Sequence, residues 1–400
     1  MRRSVSPWLA AASLTLFTAC GDSPTAPPRS LASGGARADG VPSVWADRIE
    51  GTTAGGAPYG LFKPANWNGD VIYYAHGFID PELPVALPTG DDAVAIRDAL
   101  GAMGFAVAYS GFSENGYDFA DGMRRMHQLR GLFTSRYGNA SRSFLLGHSL
   151  GSQIIQALAE QYPSQYNGAV ALCGVLGGTR QQLAHVGNVR TMFDLMYPNW
   201  LPGTSTDNVP VAPSQAQVTG AALTALTSNG FQGLGVIAAI DQTHLAGRDG
   251  NELTTSLITA LVYHARSVND VLGRTHGNLP FDNSKTVYTS AALPQLMPFV
   301  NGSIARYTAT ADANAWLDNN YEPSGALRIP MLTLHNMHDP VVPFEHEAAY
   351  RDKTIGAGSS ANLRQRARNE FGHCNFGAPL TASTVQDLVS WVTTGTPPAP

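Results

Sequence analysis

A mostly parallel α/β sheet covered by helices on both faces is predicted by three features of this sequence. Five apolar runs have strand character: Asp70 to Ala75, Phe105 to Tyr109, Phe144 to Leu146, Gly168 to Cys173 and Met331 to His335. They are nearly continuous in apolar residues, as strands buried on both faces must be. Between them lie helix-like stretches such as Tyr117 to Tyr137 and Glu345 to Thr354, and alternation of strand with helix is the signature of parallel pairing.

Taken in chain order, the first segment is an address. Met1-Arg2-Arg3 is a basic n-region, Trp8 to Phe17 is an apolar h-region, and Phe17-Thr18-Ala19-Cys20 resembles a bacterial lipobox. This reading makes 1–19 a signal peptide and Cys20 a lipidated first residue, with Phe17 where leucine is usual; plain secretion is the alternative. The apolar run is too short to span a bilayer. Residues 20–43, rich in Pro, Ser, Ala and Gly, read as a flexible tether that would let an anchored domain reach out from the cell envelope.

The strand Asp70 to Ala75 runs into His76-Gly77-Phe78. Gly77 permits a tight approach there, and the Phe78 N–H is a candidate oxyanion donor. Next come the strand Phe105 to Tyr109 and the long helix Tyr117 to Tyr137. Phe144-Leu145-Leu146 then gives way to Gly147-His148-Ser149-Leu150-Gly151 and the helix-like Gln153 to Leu158. The bare pentapeptide is a weak signal in a chain this rich in glycine and serine, but its setting between strand and helix is that of a nucleophile elbow. A serine on so sharp a turn has its hydroxyl pushed out of the sheet. Gly147 and Gly151 remove side chains that would collide, and the Leu150 N–H stands at a helix N-terminus as the second oxyanion donor.

Serine is a poor nucleophile at neutral pH, so Ser149 needs a base, and the base needs an acid to hold its tautomer. Asp339 follows the strand Met331 to His335 at a turn before proline. After Asp339 come the amphipathic Glu345 to Thr354, the strand-like Asn362 to Arg368, and His373 in a glycine-flanked loop. Of the histidines near the acid, His335 precedes it on its own strand and His346 follows too closely to have crossed another strand. His373 is therefore the base. His335-x-x-His338-Asp339 can also be read as metal ligands, but it lacks the helical spacing of such motifs; no metal or cofactor is assigned.

With these residues placed, the chain resembles the α/β-hydrolase superfamily over 44–178 and 326–395. The resemblance implies a nearly eight-stranded, mostly parallel sheet with helices on both faces, Ser149 after strand 5, Asp339 after strand 7 and His373 after strand 8. The dipeptide His373-Cys374 resembles the feruloyl esterase and tannase branch, in which a cysteine beside the histidine is disulfide-bonded to one beside the serine; here His148 occupies the latter place. With Cys20 acylated, Cys173 and Cys374 remain, both expected at strand ends near the catalytic groups. A disulfide between them and two free buried thiols are both open.

Residues 179–325, between strands 6 and 7, are too long for a connection and are expected to form a mainly helical cap over Ser149. Gln181 to Tyr197, Ser214 to Thr227 and Glu252 to Leu272 show helical spacing, and Gly230 to Ile240 is apolar enough to pack beneath them. Met192, Phe193, Met196, Tyr197 and Trp200 form a cluster that could line an acyl or aromatic pocket or be cap core. The tail Thr393 to Pro400 reads as linker.

A formal charge of −5 and the absence of a basic run argue against nucleic acid, and the only membrane contact expected is the lipid at Cys20. The expected activity is cleavage of a carboxylic ester, of a small-molecule or polymeric substrate, through an acyl-enzyme. Amide cleavage by the same triad and a non-catalytic binding role are the alternatives.

Overall fold

The computed structural model describes residues 44–203 and 213–399. The signal segment, Cys20 and the tether lie outside these residues. Eight strands form one sheet: β1 (Trp45–Thr52), β2 (Pro58–Pro64), β3 (Asp70–Ala75), β4 (Ala106–Ser110), β5 (Arg142–His148), β6 (Gly168–Leu172), β7 (Met331–His338) and β8 (Leu363–Phe371). Their order is β1-β2-β4-β3-β5-β6-β7-β8. The first two pairings, β1 with β2 and β2 with β4, are antiparallel, and all from β4 through β8 are parallel.

Side-chain alternation along each inner strand divides the core in two. Val71, Tyr73 and Ala75 face one side with Ala106, Ala108, Leu145, Ala169, Ala171 and Met331. Helices α2 (Phe119–Tyr137), α3 (Leu150–Gln161) and α11 (Glu345–Gly356) cover that side through Phe133, Ile155, Leu158 and Tyr350. Ile72, Val107, Phe144, Leu146, Val170, Leu172, Leu332 and Leu334 face the other, under Ile96 and Leu100 of α1 (Asp91–Ala102) and Val385, Leu388 and Trp391 of α12 (Gly377–Thr394). Strands flanked on both faces in this way account for the continuous apolar runs in the sequence. The edge strand β8 carries Arg364, Arg366 and Arg368, charges that discourage pairing with another chain. This eight-stranded, mostly parallel sheet with helices on both faces is the α/β-hydrolase fold.

Between β6 and β7 the described residues contain helices and no strand. They are α4 (Thr179–Met196), α5 (Gln215–Asn229), α6 (Gln232–Ala239), α7 (Gly250–Tyr263), α8 (Asn269–Arg274), α9 (Met297–Ser303) and α10 (Ala311–Asn320). This insertion has a core of its own, with Val189, Phe193, Ala222, Leu226, Ile237, Leu257 and Leu261 fully or almost fully buried. Met192, Phe193 and Tyr197 belong to that core, and Met196 and Trp200 pack against it, so the cluster read as a possible substrate pocket is interior to the insertion. The Tyr197 hydroxyl is itself used structurally, donating to Gly230 O at 2.8 Å and accepting from Leu234 N at 3.0 Å. Glu252 to Leu272 is one continuous helical spacing in the sequence, but a π-helical turn, His264–Val268, interrupts it between α7 and α8. The expected C-terminal linker starts late: Thr393 and Thr394 still belong to α12.

Ion pairs pin the insertion to the loops that follow β3 and β4. Arg266 Nε donates to Asp80 Oδ2 at 2.6 Å, and Arg274 bonds Asp270 at 3.0 Å and Glu114 at 3.3 Å. Asp270 in turn accepts from the Tyr117 N–H at 2.7 Å. Gly116, at φ 87°, leaves room for that carboxylate, because a Cβ there would lie 2.5 Å from Asp270 Oδ2.

Candidate active site

Ser149 caps α3 with φ 53° and ψ −121°, a left-handed backbone that costs a non-glycine residue of order 1 kcal/mol or more. The surrounding glycines are required by contact. A Cβ on Gly147 would lie 2.5 Å from Gly151 O, and one on Gly151 would lie 2.2 Å from Ala75 O. The turn is therefore compressed against both its own helix and β3. Ser152 ties it down further, its hydroxyl donating to Gly147 O at 2.7 Å.

Gly77 lies beside the serine, since a Cβ there would be 3.1 Å from Ser149 Cβ. Phe78 follows, with its ring between Tyr117 at 5.8 Å and Tyr263 at 6.0 Å, centroid to centroid. Leu150 is the first residue of α3, so its N–H has no carbonyl within the helix to bind. Apolar side chains from the insertion, Leu183, Val186, Val268, Val271 and Leu272, pack with Leu150 and Tyr117 above this corner. Ser149 itself is 6% exposed.

On the far side of the serine, Asp339 is buried in the loop after β7. Its Oδ1 accepts the N–H groups of Val341 at 2.8 Å and Val342 at 3.0 Å, and its Oδ2 accepts from His373 Nδ1 at 2.7 Å. Burial alone would raise the Asp339 carboxyl, but the charge of His373 and hydrogen bonds from His335 and His373 outweigh it and hold the group well below the usual carboxylate range.

The loop carrying His373 is held at both ends. Gly372 at φ 122° and Cys374 at φ 56° supply the bend, and Asn336 Nδ2 donates to Gly372 O at 2.7 Å. Cys374 is disulfide-bonded to Cys173, with Cα atoms 5.3 Å apart. Cys173 directly follows Leu172, whose carbonyl accepts the Ser149 N–H at 2.9 Å. One hydrogen bond and one disulfide thus connect the serine's backbone to the residue next to His373. Of the two arrangements left open by the sequence, the structure has the bonded pair. Cys173, His373 and Cys374 also lie close enough together to suggest metal ligation, but both sulfurs are used in the disulfide. His335 and His338 are three apart on a strand and face opposite sides: His335 is buried, and His338 bonds Asn369 Oδ1 at 3.0 Å near the surface.

The disulfide closes a loop of 201 residues, and loop-closure entropy puts its contribution near the upper end for such bonds, about 5 kcal/mol. The double variant C173A/C374A is expected to show a large fall in urea midpoint. An unchanged midpoint would mean that the crosslink constrains nothing in the unfolded chain.

The buried histidines predict the pH dependence of stability. Burial, then the charge of His373, lowers His148 to about 3, and burial, then His244, lowers His185 to about 4. Between pH 6.5 and 4 the unfolded chain binds protons that these folded groups do not. Stability therefore falls with falling pH, by about 1.4 kcal/mol per unit for each histidine. His335 runs the other way. Burial pushes it down, but hydrogen bonds to Asp339 and Glu347 outweigh that and raise it to about 10, so its contribution is full below pH 6.5 and lost towards pH 10. Urea midpoints at pH 5, 7 and 9 should peak in the middle, and a midpoint that rises from pH 7 to 5 would contradict these assignments.

Sequence reasoning missed three residues here. Asn336 bonds the histidine loop at Gly372, His335 lies against the acid, and Glu347 lies behind His335; the spacing marks neither Asn336 nor Glu347, and it offers His335 only as a metal ligand or a rejected base.

No family model matches this chain, and no curated protein matches it. Solved structures do. Feruloyl esterase B from Aspergillus oryzae is similar at 18% identity and a TM-score of 0.49, over 90% of this chain and 83% of that one. An esterase from Pyrococcus furiosus is similar at 10% identity and a TM-score of 0.44, over 86% of this chain and 91% of that one. The Pyrococcus horikoshii acylaminoacyl peptidase is similar at 8% identity and a TM-score of 0.45, over 87% of this chain and 41% of that one.

Proposed function

We propose that this chain is a serine hydrolase that cleaves carboxylic esters through an acyl-enzyme. The observation that carries this reading is the 2.7 Å hydrogen bond between Asp339 and His373, on a loop crosslinked to the strand end beside the strained Ser149. Asp339 accepts from Nδ1–H, so in the neutral imidazole the other ring nitrogen of His373 carries a lone pair that can take the proton of the Ser149 hydroxyl. Ser149 then attacks the carbonyl carbon. The N–H groups of Phe78 and Leu150 receive the oxygen's developing charge, and His373 returns its proton to the departing alcohol. Water repeats the sequence on the acyl-enzyme and frees the acid.

The helical insertion acts as a cap whose apolar side chains above Leu150 and Tyr117 select the substrate. A fluorophosphonate probe should label Ser149, and a p-nitrophenyl ester should turn over faster than the matched anilide. Faster anilide cleavage would favour the amidase reading, and an unlabelled serine would favour a binding role on this scaffold. The basic Met1-Arg2-Arg3, the apolar Trp8 to Phe17 and Phe17-Thr18-Ala19-Cys20 support a further reading, that the enzyme is an exported lipoprotein tethered at Cys20. Radiolabelled palmitate should enter the wild type and not C20S, and label retained in C20S would remove the anchor.

A further inference from the structure

The acid of the proposed triad has a second histidine behind it. β7 turns Thr333 and His335 towards α11, where Glu347 is buried against them. Glu347 Oε2 accepts from the Thr333 hydroxyl at 2.7 Å, and Gln365 Nε2 of β8 donates to the Glu347 carbonyl at 2.8 Å. The carboxylate is therefore fixed, with Oε1 3.3 Å from His335 Nδ1. On the other edge of the ring, His335 Nε2 lies 2.9 Å from Val342 O and 3.4 Å from Asp339 Oδ2.

Both ring nitrogens thus face only oxygen acceptors, and a neutral imidazole has one hydrogen to offer them. An imidazolium supplies both. The Phe344 ring, edge-on at 5.8 Å, and full burial keep water from substituting for either contact. The titratable groups around it are Asp339 in the following loop, Glu347 and His346 on α11, and His373 beyond the acid. Burial, then the charge of His335, holds His346 well below the ordinary histidine range, leaving it neutral beside the pair.

Resting on the triad proposed above, we infer that His335, kept as an imidazolium by Glu347, is a positioning residue that fixes the Asp339 carboxylate for His373. Two features make this more than packing. Val342 is tied to both groups, donating its N–H to Asp339 Oδ1 and offering its carbonyl to His335, so the loop bearing the acid is clamped between them. A positive charge 3.4 Å from the acid also offsets part of its pull on a proton at His373, which favours the unprotonated base.

The test is the pH profile of H335Q. Its kcat should fall about 10-fold with KM little changed, and the acid limb of kcat/KM should move up by about one pH unit, because the opposing charge is gone. A folded H335Q with lower melting temperature but an unmoved acid limb would overturn the role, since packing alone predicts that pattern. If H335Q does not fold, the wild type decides. Leu334-His335 is the only Leu-His dipeptide in the chain, so carbonyl-labelled leucine with 13C,15N-histidine picks out its backbone amide, and correlation through its own side-chain carbons assigns its imidazole. Two protonated ring nitrogens at pH 8 support the inference, and a neutral ring at pH 7 sinks it. Fluorophosphonate labelling of the wild type separates the two levels: an unlabelled Ser149 brings down the hydrolase reading and this role with it, whereas labelling with an unmoved limb brings down this role alone.

Discussion

S149A is expected to lose four to six orders of magnitude in turnover of a p-nitrophenyl ester while folding as the wild type does. The size of the loss follows from covalent catalysis, in which removing the nucleophile leaves only the binding and oxyanion terms, about 10³- to 10⁴-fold over water in the best-studied triads. Stability should barely move, because the hydroxyl of Ser149 makes no contact on which the elbow depends. The fold of the turn rests on Gly147, Gly151 and the Ser149 backbone, whose N–H binds Leu172 O. Alanine does not relieve the left-handed conformation either, so the cost already present is kept. Single-turnover kinetics and a melting curve on the same preparation check both halves. Activity within a factor of ten of wild type would exclude Ser149 as the nucleophile.

D339N is expected to cost about 10⁴-fold, and here the hydrogen bonds dictate the mechanism of failure. An amide must choose which end is oxygen. Val341 N–H and Val342 N–H both point at Oδ1, so the oxygen goes there and the NH₂ is forced into the position of Oδ2, facing His373 Nδ1. His373 then accepts at Nδ1 and must carry its proton on the other nitrogen, where it cannot receive one from Ser149. The variant should retain substrate affinity and lose kcat. D339E is no rescue, since the longer side chain cannot keep both backbone donors. A D339N enzyme with more than a tenth of wild-type kcat would show that the tautomer of His373 is set by something else.

The parts of this molecule that were legible in the sequence are those governed by local rules. The inner strands announce themselves because both faces are buried, and the elbow stands out because a strand, a glycine-flanked serine and a helix occur in that order. Counting the elements between them pairs Asp339 with His373, and the two side chains are hydrogen-bonded at 2.7 Å. Helix boundaries in the insertion are less readable. Glu252 to Leu272 has the period of one helix because a π turn adds a single residue, which spacing alone absorbs into the average. Met192 to Trp200 has the pattern of any helix with one apolar face, and that pattern is the same whether the face meets a ligand or the insertion's own core.

Partners at long range left the weakest signal, and the sequence kept the pairing of Cys173 with Cys374 open. Cys173 and Cys374 are 201 residues apart, and their pairing depends on the C-terminal end of β6 meeting the β8–α12 loop. Asn336 and His335 sit on adjacent positions of β7 and so point to opposite faces, one towards the histidine loop and the other towards Glu347. A polar residue in a buried strand is an anomaly until its partner is known. Once Glu347 and Gly372 are in place, each of the two is accounted for by the group it faces.

The position of the insertion has a consequence for how the molecule comes into being. β6 pairs in parallel with β7 across roughly 160 residues of intervening chain, and pairings of such sequence separation form slowly compared with helices that contact their neighbours. The strands β1 to β6 with the elbow emerge from the ribosome first, then a helical unit with an interior of its own, and only then the two strands that bring Asp339 and His373. A chain interrupted anywhere between residues 149 and 373 has Ser149 without His373. Ser149 is thus made early and meets the Asp339–His373 pair last, and Cys374, one residue further on, can close its crosslink only after β6 and β8 have come into the same sheet.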